Sequence, residues 1–201
     1  HPQSRPCTSS SARPYFPAPS PSPRRRGASS GDDVIVLTGD RNGLIYGGSG
    51  DDVITLTGHE NEDIDGGHGD DVITLTGDRN ALIFGDYGDD VITLTGHDNA
   101  VIVGGQGDDV ITLTGDRNEV IDGGYGDDAI TLTGHDNVEI DGGDGDDTII
   151  IYGDDNDEIY GGDGRDSCSI VSSDGGVTPV DDCETAAPPA PTAVPTAQAR
   201  P

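Results

Sequence analysis

The chain has 201 residues and a formal net charge of −29, from 39 Asp and Glu against 10 basic residues, all of them Arg. Such acidity excludes a nucleic-acid-binding face, which needs clustered basic residues, and argues against anionic membranes. No apolar run reaches the length of a membrane span, so no membrane insertion is expected.

Low hydrophobicity with high net charge ordinarily leaves a chain disordered, because too little apolar area is buried to offset chain entropy. Here the 32 glycines and the acids recur at fixed spacing, and periodicity decides the reading. Residues 1–30 are rich in Pro, Ser and Arg and run into Arg24, Arg25 and Arg26, the composition of a disordered arm. Repeats of 19 residues follow, with first glycines Gly31, Gly50, Gly69, Gly88, Gly107, Gly126 and Gly145, and an eighth unit opens at Gly164. Seven such units exceed the minimum of about three that a stacked repeat needs for stability.

Each repeat holds two short apolar segments between two glycine-rich turns. In Val53-Ile54-Thr55-Leu56-Thr57 the alternation puts Ile54 and Leu56 on one face, and Val53, Thr55 and Thr57 on the other. The second segment contributes Ile64 to the same interior. Three aliphatic columns result, running through Ile54, Leu56 and Ile64 and their counterparts at every nineteenth position. They make a thin core, a weak match for the cost of ordering 19 residues per rung, so the fold needs another source of stability.

The turn before the first segment supplies the candidate. It reads Gly47-Gly48-Ser49-Gly50-Asp51-Asp52 and recurs from Gly66 to Asp71, Gly104 to Asp109, Gly123 to Asp128, Gly142 to Asp147 and Gly161 to Asp166. In the third copy Asp86 replaces the second glycine, ahead of Gly88 and Asp90, and the first copy, Ala28 to Asp33, is partial. These turns resemble the G-G-x-G-x-D-x-U-x nonapeptide of RTX, or hemolysin-type, calcium-binding repeats, over about two-thirds of the chain. The resemblance implies an all-β parallel β-roll (a β-helix solenoid) of seven 19-residue repeats over residues 31–166. It also implies Ca2+ held between neighbouring turns on the same side. Carried over, the metal ligands are Asp33, Asp52, Asp71, Asp90, Asp109, Asp128, Asp147 and Asp166. Carbonyls assist from Gly48, Gly50, Gly67, Gly69, Gly88, Gly105, Gly107, Gly124, Gly126, Gly143, Gly145, Gly162 and Gly164.

Elementary physics agrees with that assignment. Rungs of a stacked solenoid lie about 4.8 Å apart, so the aspartates would form a column of like charges that repels itself unless a cation intervenes. Calcium accepts six to eight oxygens from carboxylates and carbonyls, and seven complete turns leave intervals for about six ions. Magnesium fits less well, because it demands rigid octahedral geometry.

The opposite turn carries different chemistry. One of its columns alternates Asp40, His59, Asp78, His97, Asp116, His135 and Asp154. The next runs Arg41, Glu60, Arg79, Asp98, Arg117, Asp136 and Asp155. A third holds Asn42, Asn61, Asn80, Asn99, Asn118, Asn137 and Asn156, which can form an amide ladder. The second Asp expected of the family is replaced by Gly43, Glu62, Ala81, Ala100, Glu119 and Val138, and only Asp157 keeps it. The expectation is therefore calcium on one side of the roll and a charge-and-amide ladder on the other. The histidines lie two rungs, roughly 10 Å, apart on strand spacing, too far to share a zinc ion. They are expected to act as charge partners in their column when protonated.

After Gly164 the pattern decays through Arg165, Cys168 and Cys183. Residues 167–185 are expected to cap the stack, with a Cys168–Cys183 disulfide worth on the order of 3 kcal/mol and an oxidising compartment. Cys7 is left in the arm, and residues 186–201 form an Ala/Pro-rich tail. No H-E-x-x-H, G-x-S-x-G or P-loop is present, so no enzyme activity is expected. The function implied is that of a secreted, extracellular bacterial module, monomeric, that folds on binding calcium. Its macromolecular partner is unspecified. Two other readings stand beside it. One is an adhesin or ice-binding surface made by the outward Thr55/Thr57, Thr74/Thr76, Thr93/Thr95, Thr112/Thr114 and Thr131/Thr133 array. The other is the C-terminal fragment of an RTX enzyme.

Overall fold

A computed structural model describes residues 26–27, 30–171, 180–181 and 183. The arm before Arg26 and the tail after Cys183 lie outside the described residues. Every described element is a strand, arranged as a parallel β-solenoid of about seven 19-residue turns.

Two sheets form the walls. The threonine sheet contains Val34–Thr38, Val53–Thr57, Val72–Thr76, Val91–Thr95, Val110–Thr114, Ala129–Thr133, Thr148–Tyr152 and Ser167–Val171. The glycine sheet contains Arg26–Gly27, Ile45–Ser49, Asp63–His68, Leu82–Tyr87, Val101–Gln106, Val120–Tyr125, Glu139–Asp144, Ile159–Asp163 and Val180–Asp181. All pairings are parallel and shift register by one repeat, so Ile54 faces Ile73 and Ile64 faces Ile83 along the axis. Equal repeat length therefore puts identical side chains in columns.

Alternation along the strands decides what goes inside. Ile54, Leu56 and Ile64 and their counterparts are almost wholly buried and form one continuous core. At the first rung the core is less covered: Leu37 is 8% exposed and Ile35 only partly buried. Arg26–Gly27, which precede the expected start of the roll at Gly31, add a short strand against Ile45 and Tyr46. At the other end Ser167–Val171 extends the threonine sheet. A Cys168–Cys183 disulfide, closing a 15-residue separation, ties that last strand to the chain that returns beside Asp166.

Candidate functional site

The turn that leads from the glycine sheet to the threonine sheet needs two residues in the left-handed region. Gly48 and Gly50, both at φ +120°, supply them in the first complete copy, as do their counterparts along the stack. Asp86, at φ +83°, is the one exception at the second position, a strained conformation for a non-glycine residue.

The first glycine of the motif has a different reason for being glycine. Gly47, Gly66, Gly85, Gly104, Gly123 and Gly142 do not have positive φ. A Cβ at Gly104 would collide with Oδ2 of Asp109 and with the carbonyl of Gly123, and the same holds at each rung. The aspartate five residues later turns inward, and the missing side chain leaves it room.

These inward aspartates form a ladder. Asp52, Asp71, Asp90, Asp109, Asp128, Asp147 and Asp166 are 0–2% exposed. Asp33, half-buried, starts the column: its N–H donates to Oδ1 of Asp52 at 2.7 Å. The N–H of Asp52 donates to Asp71, Asp71 to Asp90, Asp90 to Asp109 and Asp109 to Asp128, each at 2.7 Å. The ladder continues through Asp147 to Asp166, the last bond at 2.9 Å. One carboxylate oxygen is thus satisfied by the backbone. The other is not: Oδ2 of all seven residues is buried without a hydrogen-bond partner.

Burial raises the proton affinity of six of these carboxyls. Desolvation pushes Asp90 up to about 8 and Asp128 up to about 7, and neighbouring carboxylates add to the shift. Asp71, Asp109 and Asp147 rise to about 6 for the same first cause, and Asp52 is also raised. The N–H bond to Oδ1 opposes the shift in each case without cancelling it. A buried carboxylate with an unpartnered oxygen is costly. The column must take up protons or cations.

The donor set suits a hard cation. Oδ2 of Asp52, Asp71, Asp90, Asp109, Asp128 and Asp147 shares the space beside the first glycine with the carbonyl of the first glycine one rung on, so Asp52 is joined there by Gly66 and Asp71 by Gly85. Among the described residues no group of three or more His, Cys, Asp or Glu side chains converges as a metal cluster. An ion here would draw on carbonyls between aspartates, as calcium accepts. A Cβ at Gly67 would strike the carbonyl of Gly48, and the same holds for Gly69 on Gly50, Gly107 on Gly88, Gly124 on Gly105, Gly145 on Gly126, Gly162 on Gly143 and Gly164 on Gly145. Carbonyls of the first-glycine column, which the motif assignment does not name, also lie beside that space.

A second aspartate column was also outside that assignment. Asp32, Asp51, Asp70, Asp89, Asp108, Asp127 and Asp146 each accept, through Oδ1, the N–H of the residue one rung later at 2.9–3.1 Å. This ladder is exposed and runs in the opposite direction to the buried one. Its signal was available: the fifth motif position, nominally free, is Asp in seven successive repeats.

At the opposite turn the asparagine ladder forms as expected. Asn61, Asn80, Asn99, Asn118, Asn137 and Asn156 are buried. Oδ1 of Asn99 accepts both the N–H of Asn80 at 3.0 Å and its Nδ2 at 2.9 Å. Nδ2 of Asn99 donates in turn to the Gly96 carbonyl at 3.2 Å and to Asn118 at 2.9 Å. The Arg/acid column beside it holds seven non-glycine residues at φ +56° to +59°. Arg41 and Arg79 clasp Glu60 at 2.8 and 3.2 Å, and Arg117 clasps Asp98 at 2.7 and 3.3 Å. Hydrogen bonds to the guanidiniums hold the Glu60 and Asp98 carboxyls below the usual range.

The histidines also accept backbone hydrogen bonds. Nδ1 of His59, His97 and His135 accepts the N–H of Asp78, Asp116 and Asp154 at 2.9–3.0 Å. An acceptor nitrogen carries no proton, so the neutral ring continues the ladder as aspartate does on alternate rungs. Oδ2 of Asp78, 3.4 Å from His59 Nδ1, would become an ion-pair partner only if that hydrogen bond broke.

Comparison with known proteins finds no matching family model, no similar curated protein and no similar solved structure.

Proposed function

We propose that the roll is a calcium-binding structural module of the RTX type, stabilised by about six Ca2+ ions lodged between successive aspartate turns. One observation carries the reading: seven stacked, buried carboxylates each keep one oxygen bonded to backbone and the other without a partner. Divalent cations would cancel the column's repulsion and satisfy those oxygens. Asp52, Asp71, Asp90, Asp109, Asp128, Asp147 and Asp166 would hold them, with carbonyls of the intervening glycines. Because the site exists only when rungs are stacked, binding free energy becomes folding free energy.

Modules of this kind with weak, extracellular-class affinity fold where calcium is abundant, which together with the Cys168–Cys183 bridge favours a role outside the cell. Under this proposal the chain binds ions and builds a scaffold rather than catalysing a reaction. The test is metal analysis of the purified chain with calorimetric titration, followed by circular dichroism in chelator and in millimolar calcium. Uptake of several ions per chain with a gain of β signal is expected. A chain that retains no calcium at neutral pH would overturn the proposal.

A further inference from the structure

Among the described residues, the outer face of the threonine sheet from Val34 to Tyr152 carries no charged side chain. Its columns run through Val53, Thr55 and Thr57 and repeat at every nineteenth residue. From Val34 to Tyr152 every outward position is Val, Ala, Thr, Ile or Tyr. The valines are open to solvent: Val91 is 39% exposed, Val110 43% and Val36 64%. The outer face of the glycine sheet differs, carrying Asp65, Asp122 and Asp141 at its centre. Both turns carry further columns of carboxylates.

We propose that this face is an interface between two copies of the chain. Charge selects the face on which two copies could meet. With −29 on each chain, apposing any other surface would set carboxylate columns against one another. Two threonine sheets facing each other keep all carboxylates at the rim. Area permits it: seven strands at about 4.8 Å by five residues at about 3.3 Å give roughly 500 Å2 per copy, so a pair buries on the order of 1,000 Å2, the lower bound for a specific interface. Shape permits it too. One-repeat register keeps the small Val and Thr side chains in straight rows that can pack sheet on sheet. The contact is isologous and closes at two copies. This pair is an alternative to the monomer expected from sequence.

The test is sedimentation of the full chain in calcium across a dilution series, with circular dichroism on the same samples. The expected mass at the concentrated end is twice the 20.6 kDa of one chain. Thr93→Lys, at the centre of the face, should weaken association at least tenfold while leaving the β signal unchanged. Val103→Lys, an equal charge change on the outer face of the glycine sheet, should leave association unchanged. A folded chain that stays monomeric at every concentration overturns the proposal, as do open-ended assemblies larger than two, or equal effects of the two lysines. Loss of β signal on chelation reports on calcium alone, so failure of the two proposals is distinguishable.

Discussion

The two turns of each rung solve the same problem with side chains that differ by one atom. On both sides a short side chain points into the stack, and its Oδ1 accepts the N–H of the residue one rung earlier. In asparagine the second terminal atom is a donor, and it finds a glycine carbonyl and the next Oδ1. In aspartate the second atom is an acceptor, set beside another acceptor and left without a partner. The asparagine side is complete as built. The aspartate side is complete only when a proton or a cation is added.

The largest expected effect follows from that contrast. Asp71, Asp90 and Asp128 bind protons more tightly folded than unfolded, so the stability they contribute is full below about pH 4 and is lost as pH rises through about 6 to 8. In chelator the β signal should persist at pH 5 and collapse by pH 8, and calcium should restore it at pH 8. Full β signal in chelator at pH 8 would erase the difference between the two sides.

Importing the defect into the complete side comes next. Asn99→Asp exchanges a donor of two hydrogen bonds for a buried charge, and should cost about 3–5 kcal/mol in chemical denaturation at pH 8. Somewhat smaller is the loss of the space that accommodates the carboxyl. Gly104→Ala should destabilise by about 1–3 kcal/mol. Adding Asp109→Ala removes the oxygen that the new Cβ strikes, so the double variant should fall short of the sum of the two single losses.

Converting one buried aspartate into asparagine tests the sharpest form of the comparison. Asp90→Asn should raise stability in chelator at pH 8 by about 1–2 kcal/mol, since the new donor faces a carbonyl. The same change should lower calcium stoichiometry in titration. Stabilisation without any change in calcium uptake would mean that the ladder asks for protons only. The smallest effect belongs to the exposed ion pairs. Glu60→Gln, which releases Arg41 and Arg79, should leave the melting temperature unchanged in moderate salt, because exposed pairs are screened.

Much of this was legible in the residues. The 19-residue spacing placed Ile54, Leu56 and Ile64 in core columns, the sixth-position aspartates in one stack and the asparagines in another. The short loop between Cys168 and Cys183 suggested their pairing, and the structure agrees in each case. The role of the Gly47 column was less visible. Glycine at a turn suggests positive φ, whereas here it marks a space filled by another residue's carboxyl. The acceptor role of His59 was hidden for a similar reason, since alternation of His with Asp looks like charge pairing until the position of Nδ1 is known.

Sequence alone determined which residues share a column, because a constant repeat length forces identical positions into register along the axis. Tertiary structure alone decided which atoms of those residues meet. The direction in which a side chain leans along the axis fixes whether an oxygen finds an N–H, a carbonyl or nothing, and a one-dimensional period carries no information about that direction.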